Sequence, residues 1–269
     1  MLKQRVITAA ILILITLAVL FYLPPPAFCV LTAFITLAAA WEWTNLAEVH
    51  STSARLFYLA IIIFLLFGFL FIPVPLVLAA AFLWWVTALL LILFYPHVSD
   101  YWGKGVIARS LMGIFVLVPC WVALNYIRNV GNGIYVLFYL FILIWGADTV
   151  AYFVGKKWGK TKLAPVVSPG KSWQGAIGAI LFSALIAVIF NLLGDVPSEI
   201  KIPIIFLSIM TVIFSIIGDL FESMLKRKIN LKDSGRLLPG HGGLLDRIDS
   251  LTAASPIFAL GLSMIMVLH

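Results

Sequence analysis

Apolar residues run through the chain in blocks of about 20, the length that carries a helix across a hydrocarbon core about 30 Å thick. Nine such blocks stand out, at about 6–23, 27–47, 55–72, 74–95, 107–127, 133–155, 172–193, 202–225 and 251–268. Prolines punctuate the first hairpins at Pro24–Pro26 and at Pro73 and Pro75, where a helix must end or restart. The pattern predicts an all-α, polytopic integral membrane protein of about nine transmembrane helices. The first block follows Lys3 and Arg5 in the manner of a signal peptide. Its apolar run is too long for that role and no small-residue cleavage site follows, so it reads as an anchor. The blocks also divide unevenly. Residues 1–140 are hydrophobic helices joined by short turns, whereas 141–269 hold most of the charge and two long polar loops.

Composition agrees with the pattern. Of 269 residues, 63% are hydrophobic and 11% charged, which excludes a soluble domain, a disordered chain and a disulfide scaffold. Cys29 and Cys120 both lie in apolar stretches and imply neither a disulfide framework nor metal-ligand spacing. The net charge of +7 adds orientation. With the N-terminus in the cytoplasm, 16 of the 18 Lys and Arg residues fall on that side, leaving Arg128 and Lys201 opposite. Such asymmetry is the signature of cytoplasmic loops. A long basic tract or an aromatic-basic module is missing, so nucleic acid is not an expected partner. No internal repeat is evident, which weakens a transporter built from repeated halves.

Acids inside spans cost about 2.5–3.5 kcal/mol each at a helix centre and default to functional candidates. Glu42, between Trp41 and Trp43 near a cytoplasmic end, reads as an interfacial residue in an aromatic belt. Asp148 lies about two turns inside the membrane and reads as functional. Asp219, Glu222, Ser223 and Lys226 follow i, i+3, i+4, i+7 spacing and share one helix face. That face is either an internal ion-pair ladder or the wall of a site.

The loop that follows favours a site. Lys226, Arg227, Lys232, Arg236 and Arg247 supply charge for several phosphates. Gly240, Gly242 and Gly243 around His241 let backbone N–H groups approach an anion. Asp246 and Asp249, three apart, share a face of a helical turn. Carboxylates beside phosphate-binding bases suit Mg²⁺, commonly held by one or two carboxylates plus substrate phosphates. A polybasic segment resting on anionic headgroups would explain the lysines but not the glycines or the two aspartates.

Ser223, Lys226-Arg227, Lys232-Asp233, Gly235, His241-Gly242-Gly243, Asp246-Arg247 and Asp249 resemble the signature of the phosphatidate cytidylyltransferases, the CDP-diacylglycerol synthases. A second match runs through Asp148, Ala151-Tyr152, Gly155, Gly159, Leu163, Ser168-Pro169, Lys171 and Gly175. Gly170, Ser172 and Gln174 depart from that family's pattern there. The resemblance covers roughly residues 141–250. It implies transfer of the cytidylyl group of CTP to phosphatidic acid, giving CDP-diacylglycerol and pyrophosphate.

It also implies roles. Asp219 and Asp246 would hold Mg²⁺, with Asp249 and Asp148 as supporting or supplementary ligands. Lys226, Arg227 and Arg247 would bind the lipid and CTP phosphates, and Lys171 and Ser168 would close over the nucleotide. Ser223, Lys232, Gly242 and Gly243 belong to the same substrate site. His241 would either donate to the leaving pyrophosphate or bond to its own loop. The expected setting is a bacterial inner membrane with the site facing the cytoplasm, and the family resemblance allows a homodimer. Three rivals remain. A CTP-dependent polyprenol or dolichol kinase would release CDP. An ion-coupled transporter would use the intramembrane acids as a relay. A lipid-binding scaffold would tolerate loss of Asp246.

Overall fold

The computed structural model describes residues 2–97, 99, 105–194, 196–235, 237 and 242–267. Among them are nine helices, one for each predicted block. They are α1 (Leu2–Tyr22), α2 (Pro25–Leu46), α3 (Thr52–Gly68), α4 (Val74–Leu93), α5 (Val106–Asn129), α6 (Gly133–Trp158), α7 (Trp173–Leu193), α8 (Ser198–Lys228) and α9 (Leu245–Val267). Seven, α2 and α4–α9, are long and apolar enough to cross a membrane. The apolar stretches Ile11–Tyr22 of α1 and Thr52–Gly68 of α3 are shorter.

The outer faces of the bundle are as apolar as its interior. Phe34, Phe64, Leu83, Leu181 and Ile202 are all exposed. Water would penalise such a surface, whereas lipid tails solvate it. Inside, one core gathers Trp43, Trp85, Leu117 and Phe221, and a second gathers Ile127, Leu137, Leu140 and Phe258. The most extensive helix pairing is α8 with α9. Gly218 permits it, because a Cβ there would lie 2.5 Å from the Asp249 carbonyl oxygen and 2.9 Å from Ala253 Cβ. Small residues at such crossings are how membrane helices gain packing. This contact sets Asp219, next to Gly218, against the first turns of α9.

Two features extend the expected outline. The polar segment after α6 contains a two-stranded antiparallel hairpin, β1 (Lys162–Ala164) and β2 (Ser168–Ser172). Helix α9 begins six residues before the predicted span, at Leu245 rather than residue 251. Asp246 and Asp249 therefore stand on helix, where their i, i+3 spacing puts them on one face.

Candidate active site

A cavity of about 1300 Å³ opens between the two polar loops and runs down into the bundle. At one end stand Lys171, Asp219, Asp246, Arg247 and Asp249. The far end is walled by apolar residues such as Ile15 and Val19 of α1 and Phe28 and Ile35 of α2. Asp148 and Ser168 line the same space. Lys156 and Lys162 add to its basic rim, a contribution the sequence reading passed over.

Two lysines organise the polar end. Lys226 Nζ donates to Asp246 Oδ1 at 2.6 Å and to Glu222 Oε1 at 3.0 Å. Both acids are nearly out of solvent, with side chains 10% and 3% exposed. Asp246 is further held by backbone N–H donors from Gly243 at 2.8 Å and Ser234 at 3.0 Å. The Gly243 donor belongs to the turn leading into α9, where unpaired N–H groups favour a carboxylate, and Ser234 stands earlier in the loop. Gly242 shapes that turn with a φ of +80°, a conformation that excludes most side chains.

The second lysine, Lys171 on β2, pairs with Asp219 Oδ2 at 2.6 Å. Ser223 Oγ donates to the other oxygen, Oδ1, at 3.3 Å. Asp148 and Asp249 stand close enough to Asp219 and Lys171 for their charges to interact. The Ser250 N–H donates to Asp249 Oδ1 at 2.7 Å.

The hairpin that carries Lys171 is anchored by the residues that depart from the family pattern. Ser172 Oγ accepts from Gly175 N at 3.2 Å and caps α7. Gln174 Oε1 accepts from the Lys160 and Thr161 N–H groups at 3.2 and 3.3 Å. Gly155, in the last turn of α6, and Gly159, at its C-cap, leave room for Ser172 Oγ.

The predicted residues thus fall into three groups. Asp148, Ser168, Lys171, Asp219, Asp246, Arg247 and Asp249 line the cavity. Ser223, Lys226, Gly242 and Gly243 support it from behind. Arg227 and Lys232 lie elsewhere: Arg227 Nε donates to the Val167 carbonyl at 3.3 Å, joining the end of α8 to the hairpin turn, and Lys232 is exposed. His241 and Arg236 lie outside the described residues.

Glu42 requires a correction. It is not interfacial but 2% exposed, and it reaches across from α2 to the loop before α9. Its Oε2 accepts from Leu245 N at 2.8 Å and Ser234 Oγ at 3.4 Å. Asn45, one turn on, donates to the Ser234 carbonyl at 3.0 Å. An acid in a span with an amide three residues later on the same face marks a polar contact there, though not its partner.

Among the described residues no three His, Cys, Asp or Glu side chains are gathered as a metal-ligand set. The donor chemistry still suits Mg²⁺, which needs only one or two carboxylates when phosphates complete its shell. Asp219 and Asp246, both in the cavity lining, could give them, and the ammonium beside Asp219 is open enough for a phosphate to take over.

Similarity to known proteins follows the whole chain, not the motifs alone. The profile described as "Cytidylyltransferase family" matches residues 3–265. The chain is 40% identical to "Phosphatidate cytidylyltransferase" of Haemophilus influenzae, over 96% of this chain and 98% of that protein. It is 42% identical to the protein of the same name from Pseudomonas aeruginosa, over 96% of each. For that of Brucella abortus the figures are 37%, 96% and 92%. With a family match spanning residues 3–265 and relatives of this identity aligned over 96% of its length, the chain belongs to the cytidylyltransferase family.

Proposed function

We propose that this chain transfers the cytidylyl group of CTP to phosphatidic acid, forming CDP-diacylglycerol for phospholipid biosynthesis. The observation that carries the reading is the two-ended cavity. Its charged end suits a nucleotide triphosphate and a lipid phosphate, and its apolar wall suits acyl chains. A lipid phosphate oxygen attacks the α-phosphorus of CTP. That P–O bond forms as the bond from the α-phosphorus to the bridging oxygen breaks, and pyrophosphate departs. A phosphate monoester with a second pKa near ~6 is already largely dianionic at neutral pH. The nucleophile therefore needs little help from a base. The difficulty is to bring two polyanions together in line, a matter of positioning and electrostatic stabilisation.

The residues divide that work. Lys171 and Arg247 engage phosphate, Ser168 adds a hydroxyl on the hairpin side, and Lys226 keeps Asp246 in place beside them. Asp219 and Asp246 would hold Mg²⁺, with Asp148 and Asp249 nearby. The ion would supply charge neutralisation for the phosphates. The polar end lies on the cytoplasmic side, where the basic residues concentrate and where CTP is found. A Lys232→Cys variant lacking Cys29 and Cys120 tests this. An impermeant maleimide should label it in inverted membrane vesicles and not in intact cells, and the reverse would overturn the orientation.

The activity is tested with detergent-purified protein, cytidine-labelled CTP, phosphatidic acid and Mg²⁺, with and without chelator. Label entering the lipid phase with pyrophosphate release, both stopped by chelator, is the expected result. CDP release with unlabelled lipid would replace the reading with a lipid kinase. A folded protein without turnover would return it to a transporter or scaffold.

A further inference from the structure

Glu42 belongs to none of the motifs and touches none of the described cavity lining except through the loop. It nevertheless sits at the centre of that loop. Its carboxylate fills a notch bounded by two glycines. A Cβ on Gly235 would lie 2.2 Å from Glu42 Oε1, and one on Gly243 would lie 2.6 Å from Oε2. Ser234, between α8 and α9, is gripped from both sides. Its hydroxyl donates to Glu42 at 3.4 Å and its carbonyl accepts from Asn45 at 3.0 Å, while its N–H points to Asp246 at 3.0 Å. The Leu245 N–H, one residue before Asp246, also ends on Glu42 at 2.8 Å.

We infer that Glu42 is a positioning residue for the reacting centre, holding the loop so that the Ser234 and Gly243 N–H groups fix Asp246. The chain of contacts runs from α2 through Ser234 and Leu245 to the Asp246 carboxylate, and from there to Lys226. One oxygen, Oε2, accepts from both donors. A buried acceptor removed from such a network leaves its donors unpaired, and the loop must then find another arrangement. The glycines are the complement, since any side chain there would expel the carboxylate.

This inference rests on Asp246 standing at the reacting centre. The test is a double-mutant cycle in label transfer, combined with amide hydrogen exchange on the purified full chain. Glu42→Ala and Gly235→Ala should each slow turnover by about 10- to 100-fold, as loss of an orienting partner does. The double variant should be no slower than Glu42→Ala alone, because the clash at Gly235 needs the carboxylate. Glu42→Gln, which keeps an acceptor for Leu245 N, should recover much of the loss. Exchange should rise across 231–235 and 242–245 in Glu42→Ala and stay unchanged across α5, which packs on α2. Turnover of Glu42→Ala within about twofold of the parent, or losses that multiply in the double variant, would overturn the inference. So would exchange rising equally through α2 and α5. Normal turnover in Asp246→Asn, with faster exchange still confined to the loop in Glu42→Ala, would instead remove Asp246 from the reacting centre and leave the hold of Glu42 on the loop intact.

Discussion

The two lysine centres use the same chemistry under opposite confinement. Lys226 is sandwiched between Glu222 and Asp246, all three mostly shielded, and the backbone of the next turn locks the second acid in place. Lys171 meets Asp219 from a short hairpin, with the pair 26% and 31% exposed. A buried pair is costly to break, because the surviving charge has lost its water as well as its partner. A half-exposed pair contributes at most about 1 kcal/mol, and an arriving phosphate can outbid the carboxylate for the ammonium. One centre is therefore a fixed platform and the other a movable clamp. Phosphate-transfer chemistry needs both, since one substrate group must be held still while a second is drawn in.

The sharpest way to break the platform is Asp246→Asn. The amide keeps an acceptor for Ser234 and Gly243 but removes the charge facing Lys226. Turnover should fall by at least about a thousandfold, roughly 4 kcal/mol of barrier, with expression retained. Asp219→Asn should match that loss with little change in thermal stability, because its partner is half-exposed. Label-transfer rates beside detergent melting curves would check both, and near-normal turnover in either would remove that residue from the acidic pair.

Lys226→Met and Lys171→Met test the contrast directly. The first strands Glu222 and Asp246 together out of solvent and should cost about 3–5 kcal/mol of stability. The second should shift stability by less than about 1 kcal/mol. It should still raise KM for CTP by roughly ten- to a hundredfold, the worth of a charge-assisted contact to phosphate. Equal melting shifts in the two variants would erase the distinction between platform and clamp.

A smaller effect should come from Gly218→Ala. The added methyl meets the Asp249 carbonyl and Ala253, and overpacking of this kind costs about 1–3 kcal/mol. Because the wedge lies between α8 and α9, it moves Asp219 relative to Asp246 and Asp249, and turnover should fall further than stability alone accounts for. Parallel assays of melting and of turnover per folded molecule would show it.

The helices were legible because apolar length and proline breaks are local signals, and all nine blocks reappear as helices among the described residues. The face shared by Asp219, Glu222, Ser223 and Lys226 was legible for the same reason, being fixed by helical spacing. What escaped was everything that depends on which helix lies beside which. Glu42 and Ser234 are 192 positions apart, and no periodicity in either segment announces the other. Lys171 and Asp219 likewise meet only because the hairpin folds back over α8. The hairpin itself was hidden because its strands are short, polar and interrupted by Pro169 and Gly170, where a run of alternating apolar residues would have marked a strand.

That hairpin gives the smallest and most selective test of the clamp. Ser172 closes β2 and caps α7 with one hydroxyl, and its Oγ also fits against Gly155 and Gly159 at the end of α6. Ser172→Ala removes the cap together with the atom that sits against those two glycines. Loss of such a cap costs about 1 kcal/mol. The platform shares no hydrogen bond with Ser172 among the described residues, so its share of stability should be untouched. Lys171 is the next residue back along β2, so its reach toward Asp219 should loosen. With the clamp binding nucleotide and the platform setting the reacting geometry, as proposed, the expected result is a rise of a few-fold in KM for CTP with kcat nearly constant. A fall in kcat at unchanged KM would mean that the hairpin acts on the reacting centre itself, and the division between a fixed and a movable lysine would then be wrong.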